Sequence, residues 1–413
     1  ALTTNNFTSP AIGATVVVPV DLPDTVLIGY PSNIGAGVYL AVSKSGGDVT
    51  FQNVNATALL NVPQGTFVNS CDPNNPNIDQ VYFIQAVEFG IVQDGQAQAI
   101  IFNGSTSRRA AYGNEIPVGT AMTYHKRRIW VGVNGNEIAA GDILQLGDHS
   151  SILKFTEEHA LTGFGRFVVD GTITAMVETA ALDASLGQGP LLVMTKDTFN
   201  SFNLPQNRDL WSVMTDPIQT IALFGFGPLG QNSVVVVNSD VFYRAKDGLR
   251  SFKMARRDFF TWGNVPVSRE MARLLNPETK SLRRFCTSVL FDNRLLFAVT
   301  PFESTRGVYF QGLGVLDFDL ISSMGQKANP IYDGLWTGLK VLKLVTMELN
   351  DDEHCFAFTQ EADGSIGLWE VTTDGMWDSN DPENGRIACW VETRAFPFRD
   401  ATMFKKLQSL KGW

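Results

Sequence analysis

Apolar positions along this chain come in short alternating or β-branched runs broken by Gly, Pro, Asn and Asp, a pattern of strands joined by turns. In the first 75 residues the runs are TVVVPV (15–20), TVLIGY (25–30), GVYLAVS (37–43) and DVTFQNV (48–54). The cluster NSCDPNNPN (69–77) favours turns and resists both helix and ladder, so it marks a boundary. The chain thus divides into a small β-rich domain, 1–77, and a larger body, 78–413.

In the body one unit recurs: an apolar strand, a tight polar turn, a second strand with an aromatic, then a longer connection. It is seen in RIWVGV-NGN-EIAAGDI (128–143), LLVMT-KD-TFNSF (191–202) and VVVV-NSD-VFYRA-KDG-LRSFKM (234–254). It returns in RLLFAVT with GVLDFD (294–300, 314–319) and in CFAFTQ-EADG-SIGLWEV (355–371). Starts near 128, 191, 234, 294 and 355 are roughly 40–65 residues apart, which overlaps the blade period of β-propellers. With FGIVQDGQAQAIIFNG (89–104) as an early blade, the pattern predicts an all-β fold: a six-bladed β-propeller after the small β-rich domain, with few helices. The clearest helix is VSREMARLL (267–275), with Ser268 as cap, Met271, Leu274 and Leu275 on one face, and Asn276-Pro277 as the stop.

Composition narrows the function classes. With 44% hydrophobic and 18% charged residues over 413 positions, the chain can bury a large core. Its 32 basic and 42 acidic residues give a net charge of -10, which excludes a protein that clamps nucleic acid through a generally basic surface. The 1–75 segment holds only five charged residues, Asp21, Asp24, Lys44, Asp48 and Asp72. No stretch approaches the roughly 18 apolar residues of a membrane-spanning helix. The chain opens on ALTTNNF, without an initiator Met or a signal-peptide pattern, and stops on FKKLQSLKGW without an obvious terminator, as expected of part of a longer polypeptide. Cys71, Cys286, Cys355 and Cys389 are too scattered for a zinc knuckle or a disulfide framework and read as reduced, buried thiols.

Candidate chemistry is sparse. Gly225, Gly227 and Gly230 form a GxGxxG string, but a strand follows it rather than a helix, so a turn between blades is expected in place of a dinucleotide site. His125, His149, His159 and His354 show no metal-ligand spacing, and GDHSS (147–151) reads as a polar turn, since adjacent residues seldom converge into a triad. The acidic groups DDEH (351–354) and DSNDPEN (378–384) read as solvated loops. The basic-aromatic strings YHKRRIW (124–130) and RRDFFTW (256–262) make Lys126, Arg128, Arg256 and Arg257 candidate DNA or partner contacts. In one continuous strand Tyr124, Lys126, Arg128 and Trp130 would share a face, a platform for phosphates and bases; a basic turn leading into a blade strand, with Trp130 in the core, explains the same string. We expect no enzyme, no cofactor and no metal.

Longer strings carry a resemblance. IPVGTAMTYHKRRIWVGVNGNEIAAGDI (116–143), SLGQGPLLVMTKDTFNSFNLPQNRDLW (185–211) and GPLGQNSVVVVNSDVFYRAKDGLRSFKMARRDF (227–259) resemble, in order, the β-propeller of podovirus-type tail nozzle, or tail tubular, proteins. PVSREMARLL (266–275), WVETRAFPF (390–398) and FKKL (404–407) continue it, over about residues 85 to 407; the DGLRSF turn and the PVS-initiated helix are its most specific parts. PAIGATVVVPV (10–20) through GTFVNS (65–70) is similar instead to small β-rich modules of phage tail fibre and appendage proteins.

The resemblance implies a virion component: a ring of six copies at the end of a short tail, docked on tail adaptor proteins, touching tail fibre or appendage proteins, with genomic DNA in the lumen. An acidic wall would let DNA slide where a basic one would hold it. The alternative from another class is a propeller-fold glycan-binding protein or depolymerase of the virion, which would need paired carboxylates in a cleft.

Overall fold

The computed structural model describes residues 80–371, apart from 112, 158–164, 181–187, 216, 259–264, 305–306 and 320–330, and the backbone of six strands within residues 7–62. The chain divides into two compact units, Ala1–Glu370 and Val371–Trp413. The linker cluster 69–77, Cys71, Cys389, His159 and the strings 378–384, 390–398 and 404–407 lie outside the described residues.

The early strands are β1 (Phe7–Ser9), β2 (Val16–Val17), β3 (Leu27–Ile28), β4 (Gly37–Ser45), β5 (Asp48–Asn53) and β6 (Leu59–Val62). They form an antiparallel sheet in the order β1-β4-β5-β6 and a two-stranded ladder, β2-β3. Each of the four expected runs overlaps one of these strands, β2 to β5.

Five further sheets follow in chain order. The first holds β7 (Tyr82–Ala86), β8 (Phe89–Gln93), β9 (Ile100–Phe102) and β10 (Ser107–Arg109). The second holds β11 (Met122–His125), β12 (Arg128–Val133), β13 (Glu137–Ala140) and β14 (Arg166–Val168). The third holds β15 (Ile173–Ala180), β16 (Gln188–Thr195), β17 (Thr198–Phe202) and β18 (Gln219–Phe224), and the fourth β19 (Val235–Val237), β20 (Asp240–Ala245) and β21 (Gly248–Ser251). The fifth holds β22 (Ser288–Phe291), β23 (Arg294–Ser304), β24 (Gly307–Asp317), β25 (Ile331–Leu349), β26 (Asp352–Gln360) and β27 (Ile366–Val371). Within each sheet, strands consecutive in sequence are neighbours, and β7 lies against β11, β11 against β15 and β19 against β22. This is an all-β chain with few helices in a β-propeller arrangement of five blades.

Six blades were expected, and the difference lies in β25. The repeats starting at 294 and 355 fall in one hydrogen-bonded sheet, because β25 runs unbroken for 19 residues. Its first part pairs with β24 and its second with β26, with a register shift between Val341 and Lys343.

Turn chemistry explains the hairpins. Asn238-Ser239, Asp292-Asn293 and Asn350-Asp351 are two-residue connections with both φ values positive, between 46° and 68°, the type I′ geometry that suits the twist of paired strands and that Asn and Asp tolerate. Packing explains the strands. Alternate residues of β12 face opposite neighbours: Ile129, Val131 and Val133 join Ile91 and Ile101 of the first sheet, while Trp130 joins Met176, Leu191 and Val193 of the third. A strand covered on both faces reads as the continuous apolar run IWV.

Two helical expectations change. Residues 267–275 form a 3-10 turn, Val267–Met271, running into a single α turn, Ala272–Leu275. Met271 and Leu275 enter the core as expected, but Ser268 does not cap: its buried hydroxyl accepts from the Leu249 N–H at 2.8 Å. The stretch SFKM, expected as strand, opens α1 (Phe252–Arg257), because the Ser251 hydroxyl caps it by accepting from the Met254 N–H at 3.1 Å. No helix among the described residues is long and apolar enough to cross a membrane.

Candidate functional site

Of the two readings of YHKRRIW, the structure has the basic turn leading into a strand with Trp130 in the core, and no basic platform. Lys126 and Arg127 are themselves a two-residue turn, at φ 48° and 61°, which reverses the chain between β11 and β12 and pairs His125 with Arg128. Arg128 is 2% exposed. Its guanidinium donates to Glu157 Oε2 at 2.7 Å, to the Gly141 carbonyl at 2.8 Å and to the Gln206 carbonyl at 3.1 Å. Arg128 and the equally buried Arg208 both lie over the Trp211 ring, 5.5 and 5.1 Å from its centre, and Trp211 stacks on Trp130. This cluster ties the second sheet to the connection after β17, so Arg128 is a structural cation and not a surface contact. Lys126 is half-buried, donates to the Leu204 carbonyl at 2.9 Å, and has its pKa lowered by burial.

Arg256 and Arg257 are exposed in the last turn of α1, where Arg257 pairs with Asp258 at 2.7 Å. That hydrogen bond raises the Arg257 pKa and lowers that of Asp258. The two basic strings therefore stand on different blades.

The remaining sequence candidates resolve as scaffold. A Cβ on Gly227 would lie 1.9 Å from the Thr195 carbonyl oxygen and one on Gly230 2.2 Å from that of Arg284, so these glycines serve close backbone approach between blades. Asp148 of GDHSS accepts from the Ser150 N–H and starts the 3-10 turn His149–Leu153. Each described histidine faces a glutamate: His125 with Glu178 at 3.4 Å, His149 with Glu88 at 2.6 Å and His354 with Glu370 at 2.6 Å. No cluster of metal-ligating side chains occurs among the described residues.

One concave site has polar groups that these contacts leave unused. The first and last sheets meet around a cleft of about 340 Å³, where Phe83, Val92, Phe285 and Leu342 face Asn232 and Lys343. The Lys343 ammonium lies 5.9 Å from the centre of the Phe83 ring and donates to Asn232 Oδ1. Burial pushes its pKa down from 10.5 to about 8. Sequence reading passed over this lysine, although a charge inside the apolar run KVLKLV was the available signal.

A second feature is a sheet face. Lys343, Val345, Met347 and Leu349 alternate onto one side of β25, opposite Phe358, Phe356, His354 and Asp352 of β26. The His354–Glu370 contact puts Ile366 and Leu368 of β27 on that side as well. Ile366 is 58% and Leu368 60% exposed, and Met347, Leu349 and Phe358 are exposed too.

No family model matches the chain. No curated protein matches it either. Among solved structures, the chain is similar to BamB from Moraxella catarrhalis, at 10% identity and a TM-score of 0.37 over 81% of each chain. It is similar also to Sqt1 from Saccharomyces cerevisiae, at 10% identity and a TM-score of 0.36, covering 81% of this chain and 92% of that one. These are unrelated propeller proteins, and likeness at this level says nothing of function.

Proposed function

We propose that this chain is a structural component of a bacteriophage short tail, a nozzle protein whose copies form a ring around the DNA channel and support genome retention and ejection. The observation that carries the reading is the apolar face of β25, β26 and β27, where five large apolar side chains share one exposed side. Exposed apolar area that is contiguous marks an assembly surface, and a second copy of the chain is the occupant a ring requires. The sequence resemblance to tail nozzle proteins and the net charge of -10, which suits a channel that must not grip DNA, support the same reading. In that assembly the first 77 residues serve contacts with fibre or appendage proteins, and the site of action is the virion tail.

Electron microscopy and light scattering of the purified chain test this. The expected result is a closed ring, six copies round a lumen wide enough for duplex DNA, which the pair Ile366→Glu and Leu368→Glu converts to folded monomers. A monodisperse wild-type monomer that cleaves polysaccharide would overturn the nozzle reading in favour of a virion depolymerase.

A further inference from the structure

The cleft between the first and last sheets holds two hydrogen-bond donors and a shortage of acceptors. Lys343 has no carboxylate within ion-pair distance among the described residues; its one hydrogen-bond acceptor is the neutral amide of Asn232. Gln80, on the same lining, has a buried Nε2 with no hydrogen-bond partner. Around them stand Phe83, Val92, Phe285 and Leu342. A buried ammonium without a counter-charge and a buried amide N–H without an acceptor are each unfavourable, and one anionic group between them would relieve both.

We propose that this cleft binds a small organic anion, a carboxylate or sulfonate on a flat apolar body, whose oxygens accept from Lys343 Nζ and Gln80 Nε2 while the body lies between Phe83 and Phe285. A volume of about 340 Å³ falls at the small end of the range for ligand pockets, enough for a bicyclic aromatic acid and too little for an oligosaccharide. The titratable group beside Lys343 is the Cys286 thiol, which burial keeps neutral until about pH 11, so the charge on Lys343 sets the sign of the pH dependence. The anion favours the ammonium form, so binding takes up a proton on Lys343 and weakens as pH rises through about 8, where the free site loses it. Every lining residue belongs to one chain.

Calorimetric titration of the full chain with 2-naphthoate, and with its neutral amide as control, tests the proposal. The acid is expected to bind the wild type at least tenfold better than the amide does. Lys343→Met should abolish that preference, and Gln80→Leu should reduce it several-fold. Between pH 7 and 9.5 the wild-type affinity for the acid should fall about tenfold while that for the amide stays level. Equal binding of acid and amide, or a preference that survives Lys343→Met, overturns the proposal. Should Lys343→Met fail to fold, the wild-type pH profile decides: a flat profile for the acid overturns it.

Discussion

The backbone N–H of Thr300 donates to Glu278 Oε1 at 2.8 Å, and this bond holds a β-branched residue at φ 60° in the middle of a strand. The register of β23 against β24 steps over this point, pairing Val299 with Gly312 and Pro301 with Phe310. Glu278 also meets Arg244 and Arg283, and all three are buried between the fourth and fifth sheets. One carboxylate thus pairs two guanidinium groups and fixes a strained turn of chain.

Removing that carboxylate's charge strands two cations in the interior. Glu278→Gln should destabilise the fold by about 3–5 kcal/mol, the range for breaking a buried ion pair. Thermal or urea denaturation checks it, and a loss below about 1 kcal/mol would refute the arrangement.

Val87, at φ 57°, stands in the two-residue turn between β7 and β8, a backbone region hostile to β-branched side chains. Val87→Gly should therefore raise stability, by about 1 kcal/mol. A lower melting temperature for the variant would count against the turn.

The two basic strings should part company on substitution. Arg128→Met removes a buried guanidinium from Glu157, Gly141 and Gln206 and should cost roughly 3 kcal/mol. Arg256→Glu alters an exposed helix end and should stay within about 0.5 kcal/mol. Only the second can report on DNA or partner contact without confounding by stability, and denaturation curves of both variants test the contrast.

Cys286 and Cys355 are buried thiols whose pKa values burial pushes up to about 11 and about 12. At pH 8 neither should react with iodoacetamide in the native protein, and both should react on unfolding. Mass spectrometry after a short alkylation pulse reads this directly.

Lys343 makes stability depend on pH. Its folded pKa lies below the ordinary 10.5, so burying the ammonium opposes folding below about 8 and the opposition is lifted as pH rises towards 10.5. Relative to Lys343→Met, the wild type should gain on the order of 2 kcal/mol over that interval, after discounting for partial exposure. Parallel melting curves that do not converge with pH would refute the buried ammonium.

The NSD hairpin was legible because its signal is local: Asn238 and Ser239 stand where positive φ is needed, and strands begin on either side. DDEH (351–354) was not: its charges suggest a solvated loop, whereas only Asp351 is in the turn and Asp352–His354 open β26, paired with Met347–Leu349. The turn in YHKRRIW was legible as one of two readings: a run of basic residues before an apolar strand suggests a turn with Trp130 in the core, while the alternation of the same string lets it pass for one strand. The blade count failed for a related reason. Nothing in WTGLKVLKLVTMEL shows whether a strand stops at one sheet or continues into the next hairpin. The cleft was hidden because Gln80, Phe83, Asn232 and Lys343 meet only when the two ends of the propeller come together.

That meeting has a mechanical consequence. Among the described residues no strand of the last sheet enters the first, and the junction rests on side chains such as Lys343 against Phe83. Tension pulling the two apart would work against van der Waals contact and one amine, with no backbone ladder to shear. The joint should therefore yield at lower force than any blade.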